Sequence, residues 1–254
     1  MAYTGETAYV IGGASGIGRA LATMLVHKGL NIVIADRNIE GAQEAAAELQ
    51  QTNQIVSAVY VDAADWETQA QGMEAAVKAL DRIDYVFIVA GIFEQSWLPN
   101  RPRATNFEKP NLAPLDVNGV GALYATSLAI QQFHRQELNK YGFRGKIVIV
   151  SSGAGFYPIP AMPIYTASKH AIIGFVRSLG SGLPEHKITL NAICPGISIM
   201  DSFEALMGAN TASGDAIEVL PGDAGSRVKE RPQYASERCR ESLELTYRQT
   251  NQVA

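Results

Sequence analysis

The feature that most constrains this chain is the repeated alternation of short apolar runs with longer helical stretches. Thr7 to Ile11 (TAYVI), Asn31 to Ala35 (NIVIA), Ile55 to Val61 (IVSAVYV), Tyr85 to Val89 (YVFIV), Ile147 to Val150 and Ile188 to Ile193 (ITLNAI) read as strands. Between them, Arg19 to Lys28, Glu40 to Gln51, Trp66 to Leu80, Leu115 to Leu138 and Ile164 to Leu179 read as helices. Strands that are apolar at every position, rather than at alternate ones, belong to a parallel sheet covered on both faces. The expected fold class is therefore α/β, a single doubly wound parallel sheet with helices on both faces.

Composition agrees with one folded unit. Apolar residues make up 47% of the 254 positions and charged residues 18%, enough to bury a sizeable core. No Pro/Gly/Ser-rich linker interrupts the first 200 or so residues. We expect residues 1–200 to form the core, with 201–254 adding a flap and a helix to the same domain. The net charge of −4 gives no electrostatic footprint for nucleic acid or an anionic membrane surface. Two cysteines, Cys194 and Cys239, are too few for a disulfide framework, and neither has metal-ligand spacing with the four histidines. No metal site is expected. No run approaches the ~20 apolar residues of a membrane span, and the first residues lack a basic leader. A soluble cytoplasmic protein is the expectation.

Two stretches carry chemistry. The first strand runs into Gly12, Gly13, Ala14, Ser15, Gly16, Ile17 and Gly18, followed by a helix. A strand, a glycine-rich turn and a helix N-terminus in succession bind a pyrophosphate, because the glycines permit close backbone approach and the free N–H groups face the anion. The spacing is G-x-x-x-G-x-G. The second strand ends at Asp36, about twenty residues on, where a carboxylate accepts hydrogen bonds from an adenosine ribose and repels a 2′-phosphate. That favours NAD over NADP, although Arg37 beside it could recruit such a phosphate.

The other stretch is Ser151 to Lys169, SSGAGFYPIPAMPIYTASK. On a helix, Tyr165 and Lys169 stand about 6 Å apart along the axis on one face. A nearby ammonium favours the phenolate of a tyrosine, whose free pKa is about 10, and turns it into a usable acid/base. Ser152 follows the fifth apolar run, at the strand end where open α/β sheets place ligand-contacting groups. A Y-x-x-x-K spacing taken alone also describes an ordinary amphipathic helix with a solvated lysine. Asn118, in the first turns of the fourth helix, reads on its own as an end-of-helix hydrogen-bonder sooner than as a functional residue.

Taken jointly, GGASGIG at 12–18, Asp36, Asp62, Ala90-Gly91, Asn118, Ser152, Tyr165-x-x-x-Lys169 and Pro195-Gly196 resemble the short-chain dehydrogenase/reductase family over about residues 5–200. Within it, YTASKHAIIGFVRSL followed by LNAICPG is most similar to the branch containing NAD-dependent 15-hydroxyprostaglandin dehydrogenase and related fungal secondary-metabolism enzymes. The resemblance implies a Rossmann-type fold, a homodimer or homotetramer, and a tetrad. In it Tyr165 is the acid/base, Lys169 lowers its pKa and holds the nicotinamide ribose, Ser152 orients the substrate oxygen, and Asn118 positions a water leading to Lys169. The implied cofactor contacts are Gly12, Ser15, Gly16, Ile17 and Gly18 for the pyrophosphate, Asp36 with Arg37 beside it for the ribose, and Asp62 with Ala63 for the adenine. Ala90, Gly91, Pro195, Gly196 and the backbone of Ser198 complete the nicotinamide end.

Three departures stand out. Ile11 replaces a threonine before the glycine turn, Ile88 and Val89 replace the two asparagines of NNAG, and Met200 replaces a threonine that would hold the nicotinamide amide. Asp201 or Ser202 could take over that last role. If Ile11 and Val89 are neighbours, a polar pair has been exchanged for an apolar one, a change that is nearly neutral when both partners change together. No seventh strand is legible after residue 200. Asp201 to Val228 reads as a mobile flap, and Tyr234 to Tyr247 as a helix with a narrow apolar stripe. The expected activity is interconversion of a secondary alcohol and a ketone on a large apolar small molecule, bordered by Phe93, Trp97, Phe156, Tyr157, Ile159, Met162, Met200 and Phe203. The alternative is a non-redox isomerase, lyase or cyclase on the same scaffold.

Overall fold

The computed structural model describes residues 3–50, 53–95, 103, 105–195, 200–219 and 226–229, with the backbone alone at 200, 201 and 226. Strands β1 (Thr7–Ile11), β2 (Asn31–Asp36), β3 (Val56–Tyr60), β4 (Tyr85–Ile88), β5 (Gly145–Val150) and β6 (Ile188–Cys194) are the six expected from the apolar runs. β1, β4, β5 and β6 are buried at every residue, so no polar alternation could have survived in them. They are joined by β7 (Ala216–Val219) and β8 (Ser226–Val228) in one sheet of order β3-β2-β1-β4-β5-β6-β7-β8. All pairings are parallel except the last, β7 with β8, which is antiparallel.

The helices are α1 (Gly16–His27), α2 (Ile39–Leu49), α3 (Trp66–Leu80), α4 (Gly121–His134), α5 (Pro163–Gly180) and the short α6 (Met200–Ala205). One core layer joins α1, α2 and Phe203 of α6 to one face of the sheet. A second joins α3, α4 and α5 to the other. This is the doubly wound Rossmann-type arrangement expected. Two helix caps form as side-chain bonds: Asn38 Oδ1 accepts from Gly41 N at 3.1 Å and Asp65 Oδ1 from Thr68 N at 2.7 Å.

Three expectations need correction. The seventh strand exists: Ala216–Val219 runs parallel to β6, so the stretch read as a flap contributes α6, β7 and β8 to the fold. The helix expected over 115–138 begins as a π-helical turn, Leu115–Val120, before α4. Finally, Ile11 and Val89 are neighbours only through the backbone, Val89 N donating to Ile11 O at 2.8 Å. Their side chains lie on opposite faces of the sheet, and the apolar partner of Ile11 is Ile88, its register mate.

Candidate active site

The strand order reverses between β2 and β4 on either side of β1, and in open α/β sheets the crevice at that reversal, beyond the carboxyl ends of the strands, takes the ligand. The glycine turn sits there. Gly12 has φ +89°, and a Cβ on it would collide with the backbone of Ala90 at the end of β4. Gly16 has φ +52° at the start of α1, and a Cβ on Gly18 would run into the carbonyl of Gly12. Each of these three positions therefore needs glycine for a stated reason. Ser15 is the N-cap of α1 in extended conformation and makes no side-chain cap bond, so its side chain does not take up the first N–H groups of the helix. Ile17 packs its side chain back onto the core. The turn is a cradle suited to a pyrophosphate.

Asp36, the last residue of β2, braces the cradle. Its Oδ2 accepts from Ala14 N at 3.0 Å and its Oδ1 from Asn38 N at 2.9 Å. A carboxylate has about four lone-pair sites, so both oxygens can still accept from ribose hydroxyls. The exposed Arg37 extends to the half-buried Asp62, 4.0 Å away, a pair at the limit of a salt bridge and worth little energetically. Asp62 Oδ1 accepts from Ala64 N at 2.9 Å, and the Ala63 carbonyl accepts from Gln69 Nε2 at 2.5 Å, so the turn after β3 is fixed from within.

The tetrad residues come from three elements that lock together at the end of β5. Lys169 Nζ donates to Val150 O at 3.0 Å, and Ser151 Oγ donates to Lys169 O at 3.1 Å. These two crossing bonds fix Ser152, the next residue, relative to the first turns of α5. Ser152 Oγ accepts from Ala154 N at 3.1 Å and so caps a short 3-10 turn. Tyr165 and Lys169 lie one turn apart on α5, both buried, with Nζ 5.6 Å from the centroid of the phenol ring. Burial pulls the Lys169 ammonium down to about 8. At neutral pH it keeps its proton most of the time. Burial pushes the neighbouring Cys194 thiol up to about 12, so this cysteine is a small apolar side chain.

Asn118 lies on the π-helical turn, buried, a local widening often found at functional positions. Its Oδ1 accepts from Ile92 N at 2.7 Å, and its Nδ2 donates to Ile92 O at 2.9 Å and to Ser168 Oγ at 3.2 Å. A Cβ at Gly91 would stand 3.2 Å from Asn118 Oδ1 and 3.5 Å from Lys169 Nζ, so glycine there keeps hydrocarbon away from both polar groups. Pro195 follows β6 directly, whereas Gly196 and Ser198 lie outside the described residues, as do Trp97, Cys239 and the helix expected over 234–247.

Two residues that sequence reasoning passed over belong to this site. Ser168 relays Asn118 to the backbone of Tyr165, its Oγ donating to Tyr165 O at 2.7 Å. Glu94 reaches the start of α5, where its Oε2 accepts from Ile164 N and Tyr165 N at 2.7 and 2.9 Å. The aromatic border is smaller than expected. Phe93 stacks on Tyr165 with ring centroids 5.1 Å apart. Phe203 is instead a core residue against Phe87, and Phe156 and Tyr157, which precede α5, lie under the Lys229 ammonium, with Arg177 of α5 over the Phe156 ring. Among the described residues no group of three or more His, Cys, Asp and Glu could hold a metal ion, and no helix is long and apolar enough to cross a membrane.

Fold and site together define an oxidoreductase that works with a nicotinamide dinucleotide on a CH–OH group. Known proteins give the family. The short chain dehydrogenase family matches residues 6–207, and the chain belongs to it. Human 15-hydroxyprostaglandin dehydrogenase [NAD(+)] is 32% identical over 212 residues, covering 80% of this chain and 73% of that protein. The short-chain dehydrogenase/reductase prx4 of Penicillium rubens is 29% identical over 246 residues, covering 94% and 70%. Among solved structures, a putative short-chain alcohol dehydrogenase from Sinorhizobium meliloti 1021 superimposes with a TM-score of 0.64 at 29% identity, covering 77% of this chain and 73% of that one.

Proposed function

We propose that this enzyme interconverts a secondary alcohol and a ketone on a fairly large apolar small molecule, of terpenoid, steroid-like or polyketide type, with NAD rather than NADP. The observation that carries this reading is the buried Lys169 ammonium one turn below Tyr165, with Ser152 fixed beside them by the bonds between β5 and α5. In the oxidising direction the alcohol O–H proton passes to the Tyr165 phenolate, and the carbinol C–H leaves as hydride. When bound, the nicotinamide supplies the acceptor for that hydride. The Lys169 ammonium lies 5.6 Å from the centroid of the phenol ring, and the Ser152 hydroxyl donates to the substrate oxygen and steadies charge on it. In reverse, Tyr165 returns the proton to the forming alkoxide. Asn118 holds the chain at Ile92 beside Lys169 and offers a polar lining for a water leading to that ammonium.

Gly12, Ser15, Gly16, Ile17 and Gly18 would hold the pyrophosphate, Asp62 and Ala63 the adenine, and Ala90, Gly91, Pro195, Gly196 and Ser198 the nicotinamide end. The preference for NAD rests on Asp36 at the ribose position and on Arg37 reaching toward Asp62. The named activity of the 15-hydroxyprostaglandin dehydrogenases, which carry NAD(+) in their name, supports the same choice. Phe93 on Tyr165 supports an apolar substrate. A homodimer or homotetramer follows from the resemblance alone.

The test is turnover of secondary alcohols of increasing ring size with NAD, monitored by ketone formation, in the wild type and Tyr165→Phe. The variant is expected to lose about 1,000-fold in kcat while binding NADH within about threefold of wild type. A product isomeric with the substrate, formed without NAD, would replace this reading with the non-redox one.

A further inference from the structure

The start of α5 is built in a way that its own sequence cannot complete. Met162 at the N-cap supplies no side-chain bond, and Pro163, the first helical residue, has no N–H. The next two N–H groups belong to Ile164 and to Tyr165 itself. Both are taken by one carboxylate oxygen, Glu94 Oε2, from a residue 70 positions away from the first of them. A carboxylate at this end is also the charge that the helix dipole favours. Glu94 belongs to a short run in which each residue grips a different part of the site. Ile92 is bonded through both backbone groups to Asn118, Phe93 stacks on the Tyr165 ring, and Glu94 holds the Tyr165 backbone.

We propose that Glu94 is a positioning residue for the proposed reaction, capping the catalytic helix from outside so that the Tyr165 phenol stays registered against Ser152 and Lys169. The inference rests on the alcohol–ketone reading of the site. Tyr165 is the third residue of α5, within the turn that frays when its N–H groups lose their acceptor. Proton transfer tolerates little wandering of the donor atom, so the loss of the cap reaches the rate before it reaches the affinity. A glutamine keeps one carbonyl oxygen on a side chain of the same length and restores most of the cap.

The experiment compares wild type, Glu94→Ala and Glu94→Gln by amide hydrogen exchange over residues 163–168 and by steady-state kinetics, with thermal melts confirming that each is folded. Glu94→Ala is expected to speed exchange in that segment and to lower kcat about tenfold with KM within about twofold, the pattern of an interaction realised mainly in the transition state. Glu94→Gln is expected to recover both to within about threefold. Unchanged kcat in Glu94→Ala of an active enzyme, or exchange equal to wild type, would overturn the inference. Absence of cofactor-dependent turnover in the wild type, with exchange still accelerated in Glu94→Ala, would instead overturn the oxidoreductase reading and the catalytic role with it, leaving only a structural cap.

Discussion

Both ends of the sheet carry polar groups and use them differently. At the amino ends of the strands the groups satisfy one another. Glu6 accepts from the Tyr85 hydroxyl at 2.5 Å and from Lys140 at 2.7 Å, and Asp84 accepts from Thr7 N at 3.1 Å and Arg82 Nε at 3.0 Å. Lys146 is fully buried, donates to the carbonyl of Asn210 and lies over the Phe143 ring. This end ties α6 and the chain after it to the sheet, Gly208 N donating to the Tyr85 hydroxyl at 3.1 Å. At the carboxyl ends the groups are held on one side by backbone: Lys169 by Val150 O, Asn118 by Ile92, Asp36 by Ala14 N. Each is fixed in place while keeping hydrogen-bonding capacity beyond those bonds. A closed polar network stabilises a fold, whereas a braced and incompletely used one is what a ligand site requires.

The contrast is broken most directly at the closed end. Glu6→Ala leaves the Tyr85 hydroxyl and Lys140 without their acceptor, and is expected to lower unfolding stability by about 2 kcal/mol in a denaturant titration. NADH affinity should stay within about twofold. Impaired cofactor binding with unchanged stability would mean that the two ends are not separate in role. A smaller effect sharpens the other end. Lys169 sits at about 8 because it is buried, below the ordinary 10.5. Below about pH 8 folded and unfolded chains both carry the proton and the whole cost of the buried ammonium stands. Between there and about 10.5 the folded chain releases it first and the cost is relieved. The melting midpoint of Lys169→Met, relative to wild type, should therefore fall as pH rises from 8 to 10. A difference flat with pH would show that Lys169 is not desolvated as described.

What was legible in the sequence follows from locality. Strands buried on both faces write themselves as unbroken apolar runs, and the i, i+4 spacing of Tyr165 and Lys169 needs only a helix to bring the two together. β7 was missed because its signal is non-local. Ala216–Val219 is short, holds a glutamate and follows a small, polar stretch. Its placement depends on Asn191 of β6, which donates to Ala212 O at 2.7 Å and accepts from Asp215 N at 3.0 Å. Glu218 is tolerated there because Arg227 of β8 pairs with it at 2.9 Å. Glu94 and Ser168 were missed for the same reason: a carboxylate capping a helix that begins some 70 residues later leaves no periodic trace. Phe203 was misplaced at the substrate border because its aromatic character is identical in a core and in a cleft; only its T-shaped contact with Phe87 decides.

The most direct measurement of the account is a fluorescence titration of the purified protein with NADH and with NADPH, in the wild type and in Asp36→Ala. The wild type is expected to bind NADH at least about tenfold more tightly than NADPH, and Asp36→Ala to lose about tenfold in NADH affinity, about 1.4 kcal/mol. Tighter binding of NADPH, or an Asp36→Ala variant with unchanged NADH affinity, would contradict the assignment of this end of the sheet to NAD.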